Sequence, residues 1–85
     1  MIATTIFQAG EQVFVRSIDG RTTTYDITLH MTVENLKNKI KQRLGIPENQ
    51  HVLFFQGKML SNEQQTMESL EIKDYDVIAS IPYGG

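Results

Sequence analysis

Few side chains in this chain could carry chemistry. It has no cysteine, which excludes disulfides, thiolate metal sites and cysteine nucleophiles and fits a reducing intracellular compartment. The two histidines, His30 and His51, stand alone without close ligand partners. Both are expected in ordinary surface polar roles, His30 in a loop and His51 at a strand entrance, and no metal or cofactor is expected. Without a nucleophile, a ligand set or an acid–base pair, the sequence gives no support for an enzyme. What remains is the ending Ile81-Pro82-Tyr83-Gly84-Gly85. Two glycines precede the last carboxylate, an ending that independent draws at about 7% glycine would give in about 0.5% of chains.

Eighty-five residues make one small domain, short enough that its packing must be regular or stapled, and no staple is present. The formal charge of −2 argues against a polyanion partner, so no nucleic acid is expected. No stretch approaches a membrane span, and the first residues, MIATTIFQAGEQ, lack the basic and apolar blocks of a signal peptide. The expected setting is the cytoplasm, the nucleus or both, as a monomer.

These candidates need elements to hold them. In VFVRSIDGRTTTYDI, two alternating runs flank Asp19-Gly20 and predict a hairpin, with Val13 and Val15 on one face of the first strand. Thr23, Tyr25 and Ile27 share a face of the second strand, and both faces should meet a core. TVENLKNKIKQRLG reads as an amphipathic helix: Thr32 is the N-cap, and Val33, Leu36, Ile40 and Leu44 recur at helical spacing. Gly45 supplies the left-handed residue after the last turn, and Pro47 blocks continuation. Lys37, Lys39 and Lys41 fall on the other helix face.

HVLFF is a third strand, the turn QGK leads into a short strand at Met59-Leu60, and VIASI is the last strand. Between them, SNEQQTMESLEIKDYD is a long polar loop with one helical turn, anchored by Met67, Leu70 and Ile72. The third strand is apolar on both parities. If Leu53 and Phe55 face the core, Val52 and Phe54 face outward, and an apolar patch on an open sheet face predicts a partner site.

In order and at nearly fixed spacing, VFVRSIDGRT, TVENLKNKI followed by GIP, LFFQGKML and the final GG resemble the ubiquitin-like superfamily, from about Val13 to Ile81. The resemblance implies an α+β, β-grasp fold: a mixed sheet of about five strands packed on one α-helix, with the first and last strands parallel at its centre. It divides the chain into an N-terminal extension over 1–12 of unassigned role, a ubiquitin-like domain over 13–81 and a tail over 82–85.

It also implies function. In ubiquitin-like modifiers the C-terminal carboxylate is adenylated by an activating enzyme, passed as a thioester along carrier and ligase enzymes, and joined to a substrate lysine, sometimes after a processing protease exposes it. Gly85 would then be the acyl donor and Gly84 the clearance that lets the tail thread a narrow channel. Pro82-Tyr83 stands where ubiquitin has an arginine-rich stretch, so an activating enzyme with altered tail recognition is expected.

The positions of Ile18, Phe54, Ala79 and Ile81, with Val52 beside them, resemble the patch through which ubiquitin meets its receptors. Lys58, Lys37 and Lys39 resemble lysines that accept chains, whereas Arg16, Arg21, Arg43 and Asp74 replace other such lysines, and arginine forms no isopeptide bond. The alternative function is a ubiquitin-like domain that is not conjugated and recruits the proteasome or another receptor through the same patch.

Overall fold

A computed structural model describes residues 11–82 of the chain; residues 1–10 of the expected 1–12 extension and the expected acyl donor pair, Gly84 and Gly85, lie outside the described residues, while Glu11 and Gln12 belong to the first strand. The elements are β1 (Glu11–Ser17), β2 (Thr22–Ile27), α1 (Val33–Leu44), β3 (His51–Phe55), β4 (Lys58–Met59) and β5 (Val77–Pro82), with a 3-10 turn over Glu48–Gln50. They form one five-stranded sheet in the order β2-β1-β5-β3-β4. β5 pairs parallel with β1 and antiparallel with β3. This is the expected mixed β-grasp sheet, with first and last strands adjacent at its centre.

The β1–β2 connection turns at the expected place. Gly20 takes φ 88°, a conformation that a Cβ disfavours. Arg21 N–H donates to Asp19 Oδ1 at 3.0 Å, so the aspartate closes the turn with its side chain. α1 starts at Thr32, whose Oγ1 accepts from Asn35 N–H at 3.1 Å while Asn35 Oδ1 accepts from Thr32 N–H at 3.0 Å. This reciprocal box satisfies two otherwise orphaned donors. The helix stops at Gly45, φ 78°, whose N–H returns to Lys41 O.

One face of the sheet and one face of α1 make the core. Val13, Val15, Tyr25, Ile27, Leu53, Phe55 and Ile78 point toward Val33, Leu36 and Ile40, with Leu60, Met67 and Ile72 closing the loop side. Full burial of each large aliphatic side chain is worth about 1.5–3 kcal/mol, and this packing, with no staple, holds the domain together. The segment after β4 carries its expected helical turn, with Leu70 N–H donating to Thr66 O at 3.1 Å and Glu71 N–H to Glu68 O at 3.0 Å. It is tied to the helix entrance through Met67 N–H to Met31 O at 2.8 Å and a Thr32–Thr66 bridge.

Three expectations need correction. Lys37 does not lie with Lys39 and Lys41 on the solvated helix face: it is 4% exposed, with Nζ 3.1 Å from Glu63 Oε2. The loop after β4 brings that carboxylate over the helix, so the lysine stem packs while its charge is paired. His51 is fully buried, with Nδ1 3.1 Å from Pro47 O. Its parity matches the inward Leu53 and Phe55, and the 3-10 turn folds Pro47 back onto it. Val52, expected to be open to partners, is only 9% exposed.

Candidate functional site

The site is the outer face of the sheet, the side away from α1. Alternation puts Val13 and Val15 inward and leaves Phe14 and Arg16 outward. On β5 the buried Ile78 and Ser80 alternate with outward Val77, Ala79 and Ile81. Register then decides which side chains meet. Ala79 lies between Arg16 on β1 and Phe54 on β3, and Ile81 lies opposite Val52. Ile18, 73% exposed, stands at the tip of the β1–β2 turn, beside Ser80 and Pro82 across a hollow of about 310 Å³ that also reaches Leu44, Ile46 and His51.

Phe54, Ala79 and Ile81 therefore share the outer face, while Ile18, in the turn beyond β1, borders the end of the sheet beside the helix-side hollow. Val52 belongs to its floor: on an inner strand, its short branched side chain offers a partner little area. Phe54 is half-buried, in register with Ala79 and Met59. Large aromatic area at low conformational cost makes it the natural anchor of the face.

The apolar surface runs further than those positions. Met59 on β4, half exposed, is the register partner of Phe54. Val77 is half exposed and pairs with Phe14, whose ring stacks on Tyr75 with centroids 5.9 Å apart. Val77 was legible as the third outward member of the alternating run that contains Ala79 and Ile81. Met59 could have been found from its place across a two-residue turn, where Gln56 and Gly57 both take positive φ. Tyr75 carried no local signal, because the loop that delivers it to β1 has no periodicity.

The amines separate by environment. Lys58 is exposed at the start of β4, on the sheet edge and in register with Phe55 rather than with the outward Phe54. Lys39 is exposed on α1 and faces a shallow hollow that it shares with Asp26 and Asp74. Lys37 is buried against Glu63, as described above. Among the described residues no cluster of histidine, aspartate and glutamate could hold a metal ion. No helix among them is long and apolar enough to cross a membrane.

A family model described as the Ubiquitin family matches residues 13–80. The match runs from most of β1 to most of β5 and takes in every element between, together with Ile18, Val52, Phe54 and Ala79. It agrees with the strand order and with the central parallel pair. The family's members are modifiers and binding domains that work through protein partners.

Proposed function

Because the chain belongs to the ubiquitin family over residues 13–80, we propose that it is a ubiquitin-like protein modifier of the cytoplasm or nucleus. In this reading the Gly85 carboxylate, as synthesised or after a processing protease exposes it, is adenylated by an activating enzyme. It then passes as a thioester to carrier and ligase cysteines and is joined to a substrate lysine. The catalytic groups belong to those enzymes, and this chain supplies the acyl group and the surface they grip.

The observation that carries the reading is the family match over residues 13–80, together with a central strand, β5, that runs to Pro82, after which the sequence reads Tyr83-Gly84-Gly85. Pro82 fixes φ and has no N–H to donate, which gives the tail a stiff exit. The reach is short and the basic residues of ubiquitin's tail are replaced by Pro82-Tyr83, so the activating enzyme reads this tail by other contacts. Lys58 is the best-placed acceptor for a chain because it is exposed on the sheet edge, whereas Lys37 is buried against Glu63.

The test is incubation with ATP and an extract of the source cell. The full chain should form an adduct that thiol reagents reverse, and conjugates that resist them. A chain lacking Gly85 should form neither, and equal behaviour of the two forms sinks the reading.

A second reading has its own support: Ile81, 38% exposed, lies with Phe54 and Ala79 on the outer sheet face, and Ile18, 73% exposed, stands at the nearby β1–β2 turn, none of which needs the tail. Here the domain, within a longer protein, binds proteasomal or other ubiquitin receptors and is never conjugated. Receptor binding that survives deletion of Gly85, with no thioester formed by the full chain, selects it.

A further inference from the structure

The end of the outer sheet face remote from Ile18 is built differently. The rings of Phe14 and Tyr75 stack at 5.9 Å with their planes 24° apart. Tyr75 is 59% exposed and Val77, in register with Phe14, is 50% exposed. Tyr75 takes φ 68°, a conformation that a residue with a Cβ disfavours. It is held there because its N–H donates to Gln12 O at 2.6 Å, while Phe14 N–H donates to Asp76 O at 2.9 Å. The result is a fixed aromatic platform on the sheet.

Carboxylates border this platform. Gln12 N–H donates to Asp74 Oδ1 at 2.8 Å, and Gln12 Nε2 donates to Asp26 Oδ1 at 2.9 Å. One glutamine thus orients both groups and engages one oxygen of each. Among the described residues the ion pairs within 4.0 Å are Arg21–Asp19 and Lys37–Glu63, so neither Asp26 nor Asp74 has a cation at that distance. Both line an open hollow of about 590 Å³ with Gln12, Met31, Lys39 and Tyr75.

We infer that the Phe14–Tyr75–Val77 platform and the Asp26–Asp74 hollow form a docking surface for a basic, apolar peptide segment, an arginine next to a leucine-type side chain. The guanidinium lies on the exposed face of Tyr75 and turns its planar fork toward the free oxygens of Asp74 and Asp26; its apolar neighbour covers Phe14 and Val77. Charge selects this occupant. The hollow itself is lined by two carboxylates and one amine, Lys39, with Arg43 bordering Asp26 from the adjoining hollow, so Asp74 beside Tyr75 is the more open acceptor and an acidic segment is repelled. The chain already makes such a contact internally: Arg43 lies 5.1 Å over the Tyr25 ring and its Nη1 donates to Thr24 O at 2.5 Å. This surface is separate from the Ile18–Phe54–Ile81 patch and does not depend on the conjugation of Gly85.

The probe is the peptide Ac-Ala-Arg-Leu-Arg-Ala-amide, titrated into the full ¹⁵N-labelled chain and followed by amide chemical shifts. Its counterpart with glutamate in place of arginine is the control. The expected shifts centre on Gln12, Phe14, Asp74, Tyr75 and Val77. Asp26→Asn with Asp74→Asn keeps the acceptors for Gln12 and should weaken binding by about tenfold, as should Tyr75→Ala by about fivefold. Lys39→Gln should tighten it by about twofold, since it removes the competing cation. Should Tyr75→Ala disturb the fold, the isosteric asparagine pair carries the test. Equal binding of the glutamate peptide, shifts centred on Phe54 and Ile81, absence of binding, or indifference to the asparagine substitutions overturns the inference.

Discussion

Lys37 Nζ sits 3.1 Å from Glu63 Oε2 with very unequal exposure, 4% for the lysine side chain and 43% for the glutamate. The pair ties the helix to the loop after β4, and Glu34 N–H adds a second tie to Glu63 O at 3.0 Å. Removing the glutamate charge strands an ammonium in the interior. Removing the lysine charge leaves a carboxylate that water can reach. Glu63→Gln should therefore cost about 1–2 kcal/mol, the value for a broken buried pair discounted because Glu63 is partly solvated, whereas Lys37→Met should be near neutral. Urea denaturation of both variants checks this; equal losses would refute the asymmetry.

The same burial sorts the lysines as acceptors. An amine attacks a thioester only when it is reachable, and Lys37, 4% exposed and paired with Glu63, is not reachable in the folded domain. If chains form, peptide mapping should find them at Lys58 or Lys39 and not at Lys37. A linkage through Lys37 would show that the loop over 61–72 opens before transfer.

Phe54 and Phe55 are neighbours with opposite duties. Phe54→Ala should leave the melting temperature within a few degrees and weaken receptor binding at least about tenfold, as for an interface anchor. Phe55, 7% exposed in the core, should cost about 3–5 kcal/mol on truncation to alanine. Thermal melts with a binding assay separate the two; loss of the fold at Phe54 would mean the outer face is structural.

The helix ends give the smallest effects. Thr32→Ala removes the acceptor for Asn35 N–H and should cost about 1 kcal/mol, a drop of about 4–8 °C in melting temperature for a domain of this size. At Gly45 an added Cβ would meet nothing within 4 Å, so Gly45→Ala should cost only the left-handed backbone penalty at φ 78°, about 1 kcal/mol. Calorimetry of the two single variants and the double variant should show nearly additive losses, because the ends lie far apart on the helix.

Much of the outer face was legible because strands alternate strictly. Once Leu53 and Phe55 are inward, Phe54 must be outward, and the rule for Ile78 and Ser80 sends Ala79 and Ile81 the same way. Parity tells direction and leaves coverage undecided. Val52 has the right parity and is still nearly closed to solvent, since register places it opposite Ile81 on an inner strand. The histidine and the lysine failed for one reason: each is covered by a segment distant in sequence or without periodicity. The 3-10 turn delivers Pro47 to His51, and the loop after β4 delivers Glu63 to Lys37.

By itself, then, the sequence determined what depends on neighbours along the chain. Asp19-Gly20, Thr32, Gly45 and the two periodicities set the hairpin, the helix and its limits, because turns, caps and amphipathic faces are local in origin. The ordered motifs from Val13 to Ile81 also placed the chain in its family. Only the tertiary structure decided which amine is buried, that Phe14 meets Tyr75, and that one glutamine aims two aspartates at the same hollow. Those pairs join segments up to 62 positions apart, and such contacts are set by sheet register and loop path, which no local pattern encodes.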